Sequence, residues 1–322
     1  SDAYDYETNP NAHFYGPQEE ITFTAGQYDS EGLSLYAMWI PSAGSMQSDA
    51  ASVCSGLTTA ALGFKSLNSV SALTDQRDGQ TYAIAKLADG NCWMIENLRL
   101  DNTAELTLAN TNNPLNNGTT VTLKHDYTDT TTYATLSATS NDWCSTNAAE
   151  CSDQSRIRTD NTANRASYPT TNAASMYSYG NYYNWYSATA GHGIYERTAG
   201  YAAPGDICPF GWRLPKYTEY LDYSESLGGL RTQMNSNTSP TGAVMSERLR
   251  SFPNNFIYSG FVSGSSLVPG LTTRYTTSSA WSSSTYMGYV FDVVVSKKSA
   301  SLNNNYDYRY DGLTVKCFAS DN

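Results

Sequence analysis

Six cysteines constrain the fold of this 322-residue chain more than any other feature of its sequence. They are Cys54, Cys92, Cys144, Cys151, Cys208 and Cys317, and no two of them form a CxxC pair. The chain has only 3 histidines, so the ligand spacing of a zinc site is missing as well. An even number of cysteines without metal spacing is typical of disulfides formed in an oxidising compartment. The alternative is that they are buried free thiols.

The cysteine spacing indicates one local disulfide and leaves the other pairings open. Cys144 and Cys151 enclose a short polar stretch, which a disulfide would close as a loop. Among the remaining four we favour Cys208 with Cys317, which leaves Cys54 with Cys92.

The composition favours a β-rich α+β fold with long loops and few helices. Charged residues make up 15% of the chain, against roughly 25% in ordinary globular domains. Tyrosine is abundant, with 26 copies, and Ser, Thr and Asn are plentiful. Tyr and Thr suit strands, whereas Asn, Gly and Ser suit the turns between them. Such a profile is typical of extracellular proteins.

Charge and hydropathy exclude two classes of partner. A net charge of -11 would repel nucleic-acid phosphates. No apolar run approaches the roughly 20 residues of a membrane-spanning helix. We therefore expect no nucleic acid and no membrane insertion. Because the sequence opens at Ser1 without Met, we expect that a signal peptide, or an anchor outside this sequence, has been removed.

Composition and hydrophobic pattern divide the chain into three parts. Residues 1–42 are predicted to form a small β unit with two strands within 20–40. Its ending, LYAMWIP at 35–41, resembles the close of the β-grasp repeats of internalin-type bacterial adhesins. Residues 43–53 are predicted to be a linker, because large apolar residues are scarce there. The main domain covers 54–322 and carries a Thr- and Asn-rich insertion at about 101–174.

Two local patterns within the main domain predict specific elements. Residues 80–87 alternate like a half-buried strand, Asp89-Gly90 favours a turn, and a second strand begins at Cys92. A hairpin is therefore expected. Leu214-Pro215 is typical of a helix start and Gly228-Gly229 of a helix end.

Three motifs, in order, carry a resemblance to a known domain family. They are DGNCWMIENL at 89–98, YGNYYNW at 179–185 and CPFGWRLP at 208–215, followed by WSSS at 281–284 and GLTVKC at 312–317. In this combination the chain resembles the Fibrobacter succinogenes major paralogous domain over roughly residues 54–320. The resemblance implies a C-type-lectin-like fold, which the formylglycine-generating enzyme shares. It also implies that Cys208 and Cys317 form a framework disulfide.

Within the motifs, most functional-looking residues are interpreted as structural. We expect the tryptophans to be buried in one core assembled from distant segments; they are Trp93, Trp185, Trp212 and Trp281. Arg213 and Glu219 flank the predicted helix start, so they either pair or are independent surface charges.

No catalytic site is predicted. The enzyme of the resembling fold uses a closely spaced cysteine pair that binds copper, and this sequence lacks such a pair. His125 and His192 have no nucleophile motif nearby. Sequence alone does not exclude a carboxylate pair for glycoside chemistry, since such pairs are recognised by their spacing in space.

The C-terminal segment holds the candidate ligand-binding residues. After a predicted core strand with Val290, Phe291, Val293 and Val295 comes a polar run that should be exposed. The candidates are Tyr286, Tyr289, Asn303, Asn304, Asn305, Tyr306, Asp307, Tyr308 and Tyr310. Tyr and Asn recur in antibody binding surfaces, where Tyr gives rigid contact area and Asn adaptable hydrogen bonds.

This Tyr- and Asn-rich segment also resembles the variable segment of proteins diversified by retroelements. Diversity-generating retroelements randomise adenines in C-terminal codons of C-type-lectin folds, which scatters Asn, Tyr, Asp and Ser over a binding face. The alternative is that the run only reflects a chain rich in Asn and Tyr.

Calcium is left open and no other cofactor is expected. The oxygen ligands to consider are Asp292, Asn303, Asn305, Asp307 and Asp311, although EF-hand spacing is missing. The favoured function is a secreted or cell-surface adhesin or receptor that binds a protein or glycan on another cell. A structural or stalk domain without a ligand is the alternative, and an enzyme is the least favoured.

Overall fold

The computed structural model describes residues 40, 42–60, 67–100, 105–107, 120–122, 157–158, 180–183, 185–189, 201–228, 248–249, 253–256, 259–263, 266–268, 272–281, 287–294, 299–301, 306–308 and 311–319. Strands dominate these residues, and the few helices are short. The fold is therefore β-rich and of the α+β class, as predicted. None of the helices in these ranges has the length and apolar character needed to cross a bilayer.

Sixteen strands and three α-helices follow one another along the described chain. The strands are β1 Ser42–Ser45, β2 Val70–Thr74, β3 Thr81–Lys86, β4 Cys92–Met94, β5 Glu105–Thr107, β6 Thr120–Thr122, β7 Ile157–Arg158, β8 Tyr182–Tyr183, β9 Phe261–Ser263, β10 Ser266–Val268, β11 Thr272–Ala280, β12 Met287–Val294, β13 Ser299–Ser301, β14 Tyr306–Tyr308, β15 Leu313–Thr314 and β16 Phe318–Ala319. The helices are α1 Ala50–Gly56, α2 Trp185–Ala188 and α3 Tyr217–Ser226.

Two larger sheets carry most of the strands. The first has the order β1-β2-β3-β4-β16. The second has the order β13-β12-β11-β15-β8-β7, and β14 pairs with β12 beside β13. Strand β7 lies in the predicted insertion, so that part of the chain contributes to the second sheet. Two small hairpins, β5 with β6 and β9 with β10, complete the strands.

The predicted hairpin is confirmed. β3 and β4 pair antiparallel, with Ala85 opposite Trp93. Gly90 has a φ of 82°, a left-handed value that glycine adopts without a steric penalty, so the chain can reverse there. The Asp89 carboxylate accepts a hydrogen bond from the Trp93 indole nitrogen at 2.9 Å. The turn is thereby tied to the core residue that follows it.

An aromatic core lies between the two sheets. Trp93 of β4 is fully buried and stacks on Phe318 of β16, with 4.8 Å between ring centroids. Tyr220 of α3 stacks on Phe291 of β12 at the same distance, 4.8 Å. The helix therefore fills the space between the sheets, because its buried face contacts aromatic side chains from both.

The tryptophan prediction is confirmed for three of its four members. Trp93, Trp185 and Trp212 are at most 2% exposed. For Trp281 the prediction of a core position is wrong, because this residue follows the end of β11 and is only half-buried. A large apolar ring at a strand end can lie at the surface when another ring covers one side of it.

Two disulfides are present among the described residues, and they are the pairings favoured from the sequence. Cys54–Cys92 joins α1 to β4, and Cys208–Cys317 joins the third motif to the segment before β16. The Cys144–Cys151 pairing lies outside the described residues. Disulfides of this kind persist in oxidising compartments.

The segment predicted to be a linker is folded instead. Within 43–53, most of β1 pairs with β2 and α1 begins. Met46, Ala50 and Cys54 are buried at a spacing of four residues, so small and sulfur-containing side chains replace the large apolar residues that sequence reasoning looked for. Of the predicted small β unit at 1–42, nearly all lies outside the described residues.

The predicted helix is confirmed as α3. It begins after Lys216, whose backbone nitrogen donates to the Glu219 carboxylate at 2.6 Å. Of the two alternatives for Arg213 and Glu219, the pairing is present, at 2.7 Å between Nη1 and Oε2. The Arg213 guanidinium lies 4.1 Å from the ring centroid of Phe318, so it joins the helix start to β16. Gly228, with a φ of 82°, follows the helix end.

The first and second motifs pack directly against each other. The Asn181 backbone nitrogen donates to the Leu98 carbonyl at 2.9 Å, and its side-chain nitrogen donates to the Leu100 carbonyl at 2.7 Å. A Cβ at Gly180 would lie 2.5 Å from the Asn97 Cβ, so only glycine fits there. These motif residues therefore have a structural role.

The third motif is held by a buried carboxylate. Asp206 is 2% exposed and accepts hydrogen bonds from the backbone nitrogens of Cys208 and Leu214, each at 2.9 Å. The Trp212 indole nitrogen donates to the Met46 carbonyl at 2.9 Å. This motif therefore connects the disulfide to the β1 region.

The last motif, GLTVKC at 312–317, contains β15 and the connection that leads to β16. β15 belongs to the second sheet, whereas β16 belongs to the first. The connection is fully buried, and its carbonyls at Val315 and Cys317 accept from the backbone nitrogens of Leu98 and Met94 at 2.8 and 2.9 Å. The chain therefore crosses the interior from one sheet to the other.

Candidate ligand-binding face

The candidate face lies at an edge of the second sheet. β14 pairs antiparallel with β12, and Tyr306 is opposite Tyr289 while Tyr308 is opposite Met287. Tyr306 and Tyr308 are 46% and 44% exposed, whereas Asp307 between them is 9% exposed. This alternation follows from the period of two in a strand, which sends successive side chains to opposite sides. Among the described strands, β14 pairs with β12.

Asp307 points away from solvent and neutralises a positive charge. Its Oδ2 lies 2.7 Å from the Arg274 Nη1, and the Arg274 guanidinium lies 3.8 Å from the ring centroid of Phe261. The Asp307 Oδ1 accepts from the Tyr308 backbone nitrogen at 3.0 Å. The prediction that the whole run is exposed is therefore wrong for Asp307, because the opposite charge on Arg274 holds it inward.

Trp281 extends the face beyond β14. Its ring lies 4.4 Å from the Tyr306 ring, measured between centroids, with an angle of 35° between the planes. Both side chains retain exposed area. The sequence predicted a core position for Trp281, and no local pattern distinguishes it from the buried residues of β11 that precede it.

Trp185 packs against β12 on the side away from the exposed Tyr306 and Tyr308. A Cβ at Gly288 would lie 2.9 Å from the Trp185 Cδ1, so β12 approaches the indole more closely than any larger residue permits. The Trp185 indole nitrogen donates to the Thr277 carbonyl at 2.9 Å. Gly288 is also the residue opposite Asp307. A buried motif tryptophan therefore packs against β12, the strand with which β14 pairs.

The structure brings together part of the predicted site. Tyr306, Asp307 and Tyr308 are adjacent on β14, and the backbone of Tyr289 is paired with Tyr306. The other candidates lie outside the described residues; they are Tyr286, Asn303, Asn304, Asn305 and Tyr310. Arg274 was missed, since its role depends on a partner 33 positions away.

The calcium candidates are placed only in part. Asp307 is engaged with Arg274, and Asp311 is 2% exposed. Asp292 belongs to β12, where its backbone is opposite Arg274 of β11, and Asn303 and Asn305 lie outside the described ranges. Among the residues that the structure describes, three or more His, Cys, Asp or Glu side chains do not gather anywhere as metal ligands.

Lys316, between the two sheets, is a second charged residue that sequence reasoning missed. It is fully buried, with its Nζ 3.2 Å from the Asn254 carbonyl and 4.7 Å from the ring centroid of Phe256. Burial lowers the pKa of Lys316 to about 7, although the Glu96 carboxylate acts in the opposite direction. Lys316 is part of the core and does not reach the candidate face.

Comparison with known proteins adds no relative to this geometry. No family model matches the chain, and no curated protein or solved structure matches it significantly.

Proposed function

We propose that this protein is a secreted or cell-surface adhesin or receptor, which presents the β14 edge and its neighbouring loops to a ligand on another cell. The observation that carries the proposal is the half-exposed pair Tyr306 and Tyr308 on a strand held by a buried ion pair. Tyr and Trp side chains provide much contact area for little loss of conformational entropy. A rigid strand lowers the entropic cost of binding further.

A secreted or surface location is proposed on the basis of the two disulfides. We also propose a C-type-lectin-like fold of the Fibrobacter major paralogous type. The mutual packing of the first two motifs and the disulfide joining the third to β16 support this proposal. The proposed class of protein has no catalytic site.

The test is binding of the labelled full chain to a panel of bacterial and animal cells, measured by flow cytometry. We expect saturable binding to some cells, and a loss of about tenfold or more for the Tyr306→Ala/Tyr308→Ala double variant. Phe210→Ala is the matched control, because Phe210 is also an exposed aromatic residue, at 58%, on a turn outside β14. Equal binding by the double variant, or no binding by the unmodified protein, would favour the structural or stalk alternative.

Sequence variation gives an independent test. If the face is diversified by a retroelement, sister copies from one genome should differ within about residues 286–310 and agree at the motif tryptophans and framework cysteines. Uniform differences along the whole chain would contradict the diversification.

A further inference from the structure

We infer that the ligand of this face is a saccharide. A sugar ring of this ligand stacks on the side chains of Trp281, Tyr306 and Tyr308. These three residues are called the aromatic platform below. The inference rests on the proposed ligand-binding function and adds the chemical class of the ligand.

The shape of the aromatic platform suits a flat ligand with an apolar face. The Trp281 and Tyr306 rings are 4.4 Å apart between centroids, so they support each other and leave exposed area for contact. Tyr308 lies on the same side of β14, roughly 7 Å further along the strand. A pyranose ring presents axial C–H groups on one face, which pack on an aromatic ring, and hydroxyls at its rim. Tyrosine hydroxyls can hydrogen-bond to those hydroxyls.

Charge favours a neutral ligand. Among the described residues beside the platform, Arg274 and Asp307 neutralise each other across 2.7 Å, and Asp311 is buried at 2% exposure. The chain as a whole carries a net charge of -11, which opposes phosphate-rich ligands. An uncharged saccharide is not repelled by the negative net charge and needs no charged partner at the platform. Its recognition depends on ring contact and hydrogen bonds.

The edge strand is unsuited to pairing with a strand of a protein partner. An inward-pointing charged side chain on an edge strand is a device by which proteins prevent edge-to-edge pairing. Asp307 has this position at the centre of β14, 9% exposed and opposite Gly288. Contact through the exposed tyrosine rings is thus favoured over backbone pairing.

The first experiment titrates the full chain with defined neutral oligosaccharides, namely β-linked gluco-oligosaccharides, chito-oligosaccharides and manno-oligosaccharides. Binding is followed by calorimetry and by tryptophan fluorescence. We expect at least one saturable interaction, weakened about tenfold or more in Tyr306→Ala and less in Tyr306→Phe, which retains the ring. Phe210→Ala should bind like the unmodified protein. Oligosaccharide binding that Tyr306→Ala leaves unchanged would overturn the location of the site.

The second experiment separates failure of this inference from failure of the proposed function. Cells that bind the protein through Tyr306 and Tyr308 are treated with periodate, which cleaves sugar diols, or with protease. Loss of binding after periodate supports a saccharide ligand, even if none of the defined oligosaccharides binds. Binding that survives periodate and is lost after protease overturns the saccharide and leaves the ligand-binding function standing. If no cell and no oligosaccharide is bound, both proposals fail.

Discussion

Lys316 shows how a single buried charge is accommodated in this fold. Its ammonium group is surrounded by backbone carbonyls and the Phe256 ring, and burial lowers its pKa to about 7. Carbonyls and an aromatic face compensate a charge only partly, because neither carries a full negative charge. The folded protein therefore holds this lysine neutral in mildly alkaline solution, whereas the unfolded chain holds it protonated.

This difference predicts the pH dependence of stability. The ordinary lysine pKa is 10.5, and the folded value is about 7, so between these values the unfolded state binds one more proton. The contribution of Lys316 to the free energy of unfolding should then rise with pH, by about 1.4 kcal/mol per pH unit. We expect Lys316→Met to remove this slope and to be more stable than the unmodified protein at pH 7, because it avoids burial of a charge.

The measurement is urea denaturation at several pH values from about 7.0 to 8.5, well below the ordinary tyrosine pKa of about 10. This range stays below the region where buried tyrosines such as Tyr82 and Tyr220 ionise in the unfolded chain; burial raises their pKa values in the folded state. Lys86→Met is the control, since Lys86 is a half-buried lysine on β3, and it should keep the slope. A slope equally steep in Lys316→Met would show that another group causes it.

At the scale of elements, the two disulfides close loops of very different length that do not overlap. Cys54–Cys92 spans 38 positions and Cys208–Cys317 spans 109. All four sulfur-bearing residues are at most 1% exposed, so replacing either pair by alanine should leave similar cavities. The difference between the two should therefore come from the entropy of the unfolded chain.

We expect Cys208→Ala/Cys317→Ala to lose about 1 kcal/mol more stability than Cys54→Ala/Cys92→Ala, from total losses of about 5 and 4 kcal/mol. The free energy of unfolding is measured by chemical denaturation under non-reducing conditions. Each double variant serves as the control for the other, because it keeps the other described disulfide intact. The reverse order would mean that native packing around Cys54 and Cys92 outweighs loop length.

The sequence predicts an element when the residues that determine it lie close together in the chain. The β3–β4 hairpin and helix α3 were predicted because their turn and cap residues lie within a few positions of each other. The fold at 43–53 was missed because its buried residues are small or sulfur-containing, and β1 is fixed by pairing with the distant β2. The buried connection at 315–317 was not predicted, because it is held by carbonyl contacts to the distant first motif.

The same reasoning applies to the candidate face. Exposure of Tyr306 and Tyr308 follows from polar sequence around them and from strand alternation. The inward position of Asp307 depends on Arg274 in β11, and the surface position of Trp281 depends on Tyr306. Both are contacts between segments that are distant in the chain, which a single sequence does not encode in any local pattern.

At the scale of the whole molecule, the frame and the aromatic platform are held by separate interactions. The frame combines the aromatic core, the buried crossing at 315–317 and two disulfides. The ion pair of Asp307 with Arg274 connects β14 to this frame. The Tyr306 and Tyr308 rings beside Asp307 are nearly half exposed, so they contribute less to the core than buried rings do.

This separation predicts that the aromatic platform tolerates change. We expect Tyr306→Ser/Tyr308→Asn to lower the free energy of unfolding by less than about 1 kcal/mol, since exposed substitutions rarely cost more. Asp307→Asn, which keeps the shape and removes the charge, should cost about 2 kcal/mol because Arg274 loses a charged hydrogen-bond partner. Urea denaturation at pH 7 measures both variants. If the tyrosine variant loses as much stability as Asp307→Asn, the platform is part of the frame, and a binding surface that varies without unfolding the protein is no longer tenable.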